Sequence, residues 1–169
     1  MEFSEVIRQR YSTRAYKSTP VPDDVLERIL EAARLAPTAA NRQPWQLIVI
    51  HTAGREAELA RIYGNAWFTQ APIVIAACNL PGQAWVRRDG KNYADVDLAI
   101  AMDHLILAAA NEGLGSCWIG AFDPAAAREI LGLPEGVEPV VFTPLGYPAD
   151  QRQPKRRRTL ETLVRYEHW

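Results

Sequence analysis

The sequence predicts an α+β domain in which helices flank a central mixed β-sheet. Helical and strand-like segments alternate imperfectly along the chain, which argues against a regular doubly wound fold. Of the 169 residues, 48% are hydrophobic and 23% are charged, which is ordinary for one globular domain with a substantial core. No repeat, low-complexity tract or linker divides the chain. We therefore expect residues 1–169 to form a single domain.

The first half of the chain combines helix and strand signals. Ser4 is expected to cap a short helix from Glu5 to about Arg10. A second helix begins after Pro22, carries apolar residues at helical spacing and is stopped by Pro37. Short continuous apolar runs predict strands at 47–50 and 73–77. A polar helix at about 55–62 is expected to link these two strands.

The second half opens with a long helix, predicted from Tyr93 to about Glu112. Its apolar residues cover nearly the whole circumference, so every side of it should be buried. In so small a domain, one face is expected to meet another subunit. The remaining segments are shorter: a strand at 117–119, a helix from Pro124 to about Leu131 capped by Asp123, a strand at 137–143, and a last strand at 160–166.

Bulk charge and composition exclude several classes of function. With 19 basic and 20 acidic side chains, the chain gives no general reason to expect nucleic acid as a partner. No apolar run approaches the roughly 20 residues of a membrane span, and the N-terminus lacks the features of a secretory signal. We expect a cytoplasmic protein. Cys78 and Cys117 lie in apolar runs typical of buried thiols, and no metal-ligand spacing is present.

Two basic segments predict a site for a phosphate-bearing ligand. Arg10, Ser12 and Arg14 point to one side of an extended segment, and residues 154–158 add a basic run near the C-terminus. Guanidinium groups bind phosphate oxygens bidentately, and a hydroxyl can donate a further hydrogen bond. Each segment alone could equally be a solvated charged surface. No glycine-rich phosphate loop is present, so arginine and lysine side chains would hold any phosphate.

A third segment, residues 36–45, places two amides beside a proline-fixed backbone. Asn41 and Gln43 each offer hydrogen-bond donors and an acceptor, which suits the edge of a heteroaromatic ring. The alternative is an ordinary loop that enters a strand. Trp45 is expected to belong to the core.

Four motifs in this order resemble the FMN-dependent nitroreductase family. The resemblance runs from about Phe3 to Tyr166. The motifs are Arg10-Tyr11-Ser12-Thr13-Arg14, the segment from Ala36 to Trp45, the segment from Gly113 to Asp123, and Pro154-Lys155-Arg156-Arg157. The resemblance implies an intertwined homodimer with two FMN sites at the subunit interface and with the long helix in that interface. It also implies an enzyme that passes hydride from NAD(P)H through the flavin to a small electrophilic acceptor, such as a nitroaromatic compound or a quinone.

The resemblance also implies which residues bind FMN, and it implies no catalytic acid or base because the flavin performs the chemistry. Arg14 would lie near the N1/O2 edge of the flavin. The Pro37–Gln43 segment would come from the partner subunit and contact the ring. The full set of implied cofactor-binding residues is Arg10, Tyr11, Ser12, Arg14, Pro37, Thr38, Ala39, Asn41, Gln43, Ile119, Gly120, Ala121, Lys155 and Arg157.

Other functions remain open at the level of the sequence. The same scaffold would serve a flavin-binding sensor or carrier without turnover, or a related activity such as reductive dehalogenation or flavin destruction. A dimer that binds another phosphate ester would use the same basic residues. Larger members of the family carry an acidic residue where this chain has Gly120, and residues 79–93 are too few for a large helical lid. An open substrate pocket is therefore expected.

Overall fold

A four-stranded antiparallel sheet with strand order β1-β2-β4-β3 organises the chain, and the computed structural model describes all 169 residues. The chain also forms seven α-helices, of which the last lies in the C-terminal segment away from the sheet. The strands are β1 (Trp45–His51), β2 (Ile73–Asn79), β3 (Gly115–Ser116) and β4 (Glu138–Gly146). The helices are α1 (Phe3–Gln9), α2 (Asp23–Arg34), α3 (Glu56–Ile62), α4 (Trp67–Gln70), α5 (Ala94–Asn111), α6 (Pro124–Leu131) and α7 (Leu160–Leu163).

Strand β2 is buried along its whole length because apolar layers cover both faces of the sheet. Side chains alternate along a strand, so Ile73, Ile75 and Ala77 contribute to one layer and Val74 and Ala76 to the other. The first layer lies under α2 and α5, and the second under α3, α4 and α6. The domain therefore has two cores, one on each side of a single sheet.

The α+β class is confirmed, but the expectation of a mixed sheet is wrong. All three strand pairs are antiparallel. The only parallel pairing is an isolated bridge between Ser12 and Ser116, outside any long strand. The N-terminal segment joins the sheet edge through this single bridge. The prediction was wrong because an apolar pattern that indicates strands does not indicate their relative direction.

Most predicted elements are confirmed, with ends displaced by a few residues. Asp123 caps α6 as expected, since its Oδ1 accepts hydrogen bonds from the N–H groups of Ala125 and Ala126 at 2.9 and 3.0 Å. Gly132 follows the helix with a φ of 61°, which glycine adopts without strain. The capping role of Ser4 is wrong, because α1 begins at Phe3 and Ser4 lies inside it.

Two predicted strands are also wrong. In place of the strand expected at 117–119, the paired residues are those of β3, just before it. Residues 117–119 make only isolated contacts with β4: Cys117 N–H donates to Thr143 Oγ1 at 3.2 Å, and Ile119 forms an isolated bridge with Phe142. The expected last strand at 160–166 contains α7 instead. No strand lies beside this segment to pair with it, so its apolar residues form a short local helix.

Helix α5 has one face in its own core and one face in solvent. Leu98, Met102 and Leu105 are fully buried against the sheet. Val96 and Ala99 on the opposite side are exposed, although both are apolar. The sequence predicts that every side of this helix is buried. Within the single chain, only the face toward the sheet is buried, and the opposite face is exposed. None of the helices combines the length and apolarity that crossing a membrane requires.

The C-terminal tail, defined as residues 151–169, is exposed throughout. It includes large apolar side chains, and the ring of Trp169 is fully exposed in the isolated chain. From Thr159 onward its hydrogen bonds join only residues within the tail. The tail therefore leaves the body of the domain after its first residues.

Candidate functional site

The N-terminal and C-terminal basic segments meet at one surface cleft of about 560 Å³, here called the basic cleft. Six of the residues implied to bind cofactor line it, although they are separated by about 140 positions in the sequence. The lining residues are Arg10, Tyr11, Ser12, Arg14, Asp150, Gln151, Gln153, Pro154, Lys155, Arg156 and Arg157. The structure therefore confirms that the two basic segments are neighbours.

The N-terminal wall of the basic cleft is anchored through Thr13. Thr13 is fully buried, and its N–H donates to the carbonyl of Ser116 at 2.9 Å. A Cβ at Gly115 would lie 2.4 Å from the Thr13 hydroxyl oxygen, so only glycine permits this approach. Because neighbouring side chains of an extended segment point to opposite sides, Ser12 and Arg14 face away from the anchor.

Asp150 ties the other wall to the same segment. Its carboxylate accepts a hydrogen bond from the Tyr11 hydroxyl at 2.8 Å and from the Arg14 backbone N–H at 2.7 Å. Lys155 Nζ donates to the carbonyl of Ile7 in α1. These contacts hold the start of the tail beside the end of α1, which explains how residues far apart in sequence form one cleft.

The basic cleft has an excess of positive charge. None of Arg10, Arg14, Lys155 and Arg157 forms an ion pair, and the one carboxylate in the lining is already occupied by Tyr11 and Arg14. Partial desolvation of the ammonium group, followed by repulsion from Arg10 and Arg157, lowers the pKa of Lys155 although the residue as a whole is exposed. Burial and the hydrogen bond to Asp150 raise the pKa of the Tyr11 hydroxyl. Such a cleft favours an anion with more than one charge.

The Pro37–Gln43 segment, here called the amide loop, lies between α2 and β1 and does not line the basic cleft of the same chain. Ala40, Asn41 and Gln43 all have φ values between 51° and 53°, in the left-handed region that non-glycine residues rarely adopt. Gln43 Nε2 donates to the backbone carbonyl of Asn41 at 3.0 Å. It also donates to Asn41 Oδ1 at 3.2 Å, so the two amides contact each other, and both side chains are exposed to solvent.

The third implied group, Ile119 to Ala121, follows β3 at the same sheet edge that holds Thr13. Ile119 and Phe142 exchange backbone hydrogen bonds of 2.9 and 3.0 Å. Gly120 and Ala121 are exposed beyond this bridge, and a Cβ at Gly120 would meet nothing within 4 Å. Packing therefore does not require glycine at this position, and an acidic residue would be accommodated. These three residues also lie outside the lining of the basic cleft.

Both cysteines are buried, as the sequence predicts. Burial raises the pKa of the Cys78 thiol to about 11. Burial also raises the pKa of Cys117, while the Arg14 guanidinium and the Ser12 hydroxyl act in the opposite direction. Cys117 therefore lies close to the basic cleft as an un-ionised, buried thiol at neutral pH.

Sequence reasoning missed one residue beside the predicted site, the buried acidic residue Asp97. Its carboxylate accepts a hydrogen bond from the N–H of Ala39, in the amide loop, at 2.9 Å. The available signal was an acidic residue on the apolar face of a helix, because such a side chain is rarely buried without a partner.

Comparison with known proteins establishes the family and the fold of the chain. The model of the nitroreductase family matches residues 7–67 and 56–147. An NADH dehydrogenase from Thermus thermophilus is 33% identical, over 92% of this chain and 91% of its own. An FMN reductase [NAD(P)H] from Bacillus subtilis is 28% identical, over 92% of this chain and 70% of its own. A nitroreductase family protein from Clostridium difficile, 36% identical, superposes with a TM-score of 0.91 over the whole of both chains. With the family model matching most of the chain, and with the same fold over its full length, this protein belongs to the nitroreductase family.

Proposed function

We propose that the chain binds FMN in the basic cleft and transfers reducing equivalents from NAD(P)H to a small electrophilic acceptor. The protein is an NAD(P)H-dependent flavin oxidoreductase by its family and its relatives. The choice of FMN and of nitroaromatic or quinone acceptors is the proposal. The observation that carries it is the excess of unpaired cations in the basic cleft.

The donor set of the basic cleft matches the phosphate of FMN. Arg10, Lys155 and Arg157 supply charge-assisted donors, and Ser12 supplies a hydroxyl. No carboxylate in the chain neutralises these cations, so a phosphate dianion would relieve their mutual repulsion. A cofactor that lacks a phosphate would leave the repulsion in place.

The remaining implied residues would surround the ring. Bound FMN would supply two-electron chemistry at N5, and the protein would supply position and electrostatics. The Arg14 guanidinium would stabilise negative charge at the N1/O2 edge. Asn41 and Gln43, from the amide loop of a partner, would donate to the ring edge, and the backbone of residues 119–121 would face N5.

A homodimer is part of the proposal, because the amide loop and the basic cleft of one chain are separate. The chain also exposes apolar surface that a partner would cover. Phe3, Leu35 and Leu160 are 68%, 63% and 73% exposed. A cavity of about 440 Å³ lies between α1, α2 and α5, with mostly apolar walls. In a dimer, the apolar side chains of one chain's exposed tail would have an apolar cavity on the partner's body to pack into.

Purification without added cofactor, followed by reconstitution, tests the proposal. We expect apo-protein to take up FMN, and the loaded protein to oxidise NADH or NADPH faster when a nitroaromatic compound or a quinone is present. Protein that binds FMN but does not turn over would be a flavin sensor or carrier. Protein that cannot be loaded with FMN under any condition would contradict the proposal.

Replacing Arg14 by leucine should lower the reduction potential of the bound flavin. The cation that would favour the anionic reduced ring has been removed, and a shift of about 30 mV corresponds to a tenfold change in a two-electron equilibrium. A redox titration of the loaded protein measures this shift. Arg14→Lys, which keeps the charge, is the matched control. An unchanged or raised potential in Arg14→Leu would place Arg14 away from the N1/O2 edge.

Raising the pH should weaken FMN binding, and the loss should begin at a lower pH than it would for a lysine with an ordinary pKa. The pKa of Lys155 is lowered in the free protein by partial desolvation of its ammonium group and by neighbouring cations. Bound phosphate favours the protonated amine, so affinity is full below the free-protein pKa of Lys155 and falls as pH rises through it. Riboflavin has the same ring without the phosphate, so the ratio of the two affinities isolates this step.

That ratio should be measured from neutral pH up to the ordinary lysine pKa of about 10.4. Lys155→Arg should abolish the fall, because arginine stays protonated throughout this range. A ratio that does not change with pH in the wild type would show that Lys155 does not contact the phosphate.

A further inference from the structure

One buried carboxylate connects the amide loop to helix α5, which lies far along the chain. Asp97 lies in the first turns of α5 and is only 1% exposed. Its Oδ1 accepts a hydrogen bond from the N–H of Ala39 at 2.9 Å. Its Oδ2 is buried and has no hydrogen-bond partner within the chain. The other hydrogen bonds of residues 37–43 are local: they stay within the loop or, in one case, join the N–H of Trp45 at the start of β1 to the carbonyl of Gln43 at 2.9 Å. The contact with Asp97 is therefore the loop's one hydrogen bond to an element distant in sequence.

Core packing alone does not account for this side chain. The buried face of α5 is otherwise apolar, with Ala94, Leu98, Ala101 and Met102 around the same side. A buried carboxylate is costly unless it is hydrogen-bonded, and only one of its two oxygens is bonded here. The N-terminal turns of α5 offset part of that cost through the helix dipole. An apolar residue would pack at this position at lower cost, but it would leave the N–H of Ala39 without its acceptor.

The backbone that Asp97 holds is strained. Ala40, Asn41 and Gln43 lie within four residues after Ala39, and all three have left-handed φ values. Each such residue costs about 1–3 kcal/mol and persists only where the surroundings impose it. Within the loop, Gln43 N–H donates to Thr38 Oγ1 at 3.0 Å, which closes the turn from the other side. The hydrogen bond to Asp97 is therefore well placed to select this conformation over relaxed ones.

We propose that Asp97 is a positioning residue that presets the amide loop for the flavin ring. This inference rests on the proposed function, because it assigns a role toward FMN. Asp97 acts through Ala39, and the loop then presents Asn41 and Gln43 in one arrangement. Preorganisation of this kind raises affinity because the loop does not have to be ordered on binding. The contact concerns the ring rather than the phosphate, so FMN and riboflavin should depend on Asp97 equally.

Titration of apo-protein variants with FMN and with riboflavin tests this role. Asp97→Ala should weaken both flavins by about tenfold or more, because it removes a hydrogen bond to a charged group. It should also change the visible circular dichroism of the bound flavin, since the ring meets a rearranged loop. Asp97→Asn keeps an acceptor oxygen and should recover most of the affinity. Arg10→Ala, by contrast, should weaken FMN and leave riboflavin nearly unchanged.

Leu98→Ala is the control for a purely structural effect, because Leu98 is the fully buried neighbour on the same helix. It should lower the melting temperature and leave flavin affinity and circular dichroism close to wild type. Equal flavin losses in Leu98→Ala and Asp97→Ala, or no loss in Asp97→Ala, would overturn the proposal. If Asp97→Ala does not fold, Ala39→Pro removes the donor of the same hydrogen bond and must then show the same loss for both flavins. Wild type that binds neither flavin would refute the proposed function instead.

Discussion

Replacing Arg10 or Arg157 by alanine should lower FMN affinity about ten- to a hundredfold and leave riboflavin affinity almost unchanged. Each side chain would donate charge-assisted hydrogen bonds to the phosphate, worth about 1.5–3 kcal/mol, which corresponds to this range of affinity. Both residues line the basic cleft and form no ion pair, so their removal breaks no internal salt bridge. Calorimetric titration of apo-protein measures the two affinities.

Arg158→Ala is the matched control, because Arg158 belongs to the same basic run but does not line the basic cleft. It should bind FMN as wild type does. Inorganic phosphate should raise the melting temperature of the apo-protein, and Arg10→Ala should reduce that increase. Equal losses of FMN and riboflavin in Arg10→Ala would mean that this residue does not contact the phosphate.

A charge at Ile100 should dissociate the proposed dimer and release FMN with it. Ile100 is half-buried beside exposed Val96 and Ala99, on the face of α5 that points away from the domain's own core. Burying an unpaired carboxylate in an interface costs several kcal/mol, enough to abolish association at micromolar concentration. We expect Ile100→Glu to sediment as a folded monomer that binds FMN weakly, while its circular dichroism in the far ultraviolet stays native.

Met102 supplies the comparison for this experiment. Met102 lies on the same helix but is fully buried in the chain's own core, and Ile106 packs against that core. Met102→Ala should therefore lower the free energy of unfolding by about 2–5 kcal/mol, as large-to-small core substitutions do, without a specific effect on assembly. A wild-type monomer with tightly bound FMN would contradict the shared site.

The elements that the sequence predicted well are those whose signals are local. The apolar run at 73–77 marks β2 because a strand covered on both faces has no polar side. Asp123 followed by Pro124 marks the start of α6 because capping depends on neighbouring backbone groups alone. The two basic segments were placed together by resemblance to a family, and the hydrogen bonds of Asp150 explain their proximity.

The features that were missed depend on partners distant in sequence. Strand direction in the sheet and the position of β3 are set by which backbone lies alongside, and apolar periodicity does not encode that neighbour. The segment 160–166 has the composition of a strand but no adjacent edge to pair with. Asp97 was overlooked because its role is visible only through the N–H of Ala39, 58 positions away.

The position of the proposed phosphate-binding residues on the tail has a consequence for how this protein would lose its activity. Lys155 and Arg157 belong to the one long segment whose side chains are exposed throughout, while the two cores are built from residues before position 150. A protease that cuts after basic residues would find its substrates concentrated there, and cleavage near residue 152 would remove half of the cation cluster while both cores remained intact. If the proposed site is correct, cleavage of the tail would release the cofactor without unfolding the domain. A stored preparation should lose its flavin absorbance before it aggregates. Added flavin should slow proteolysis of the tail strongly and raise the melting temperature only slightly.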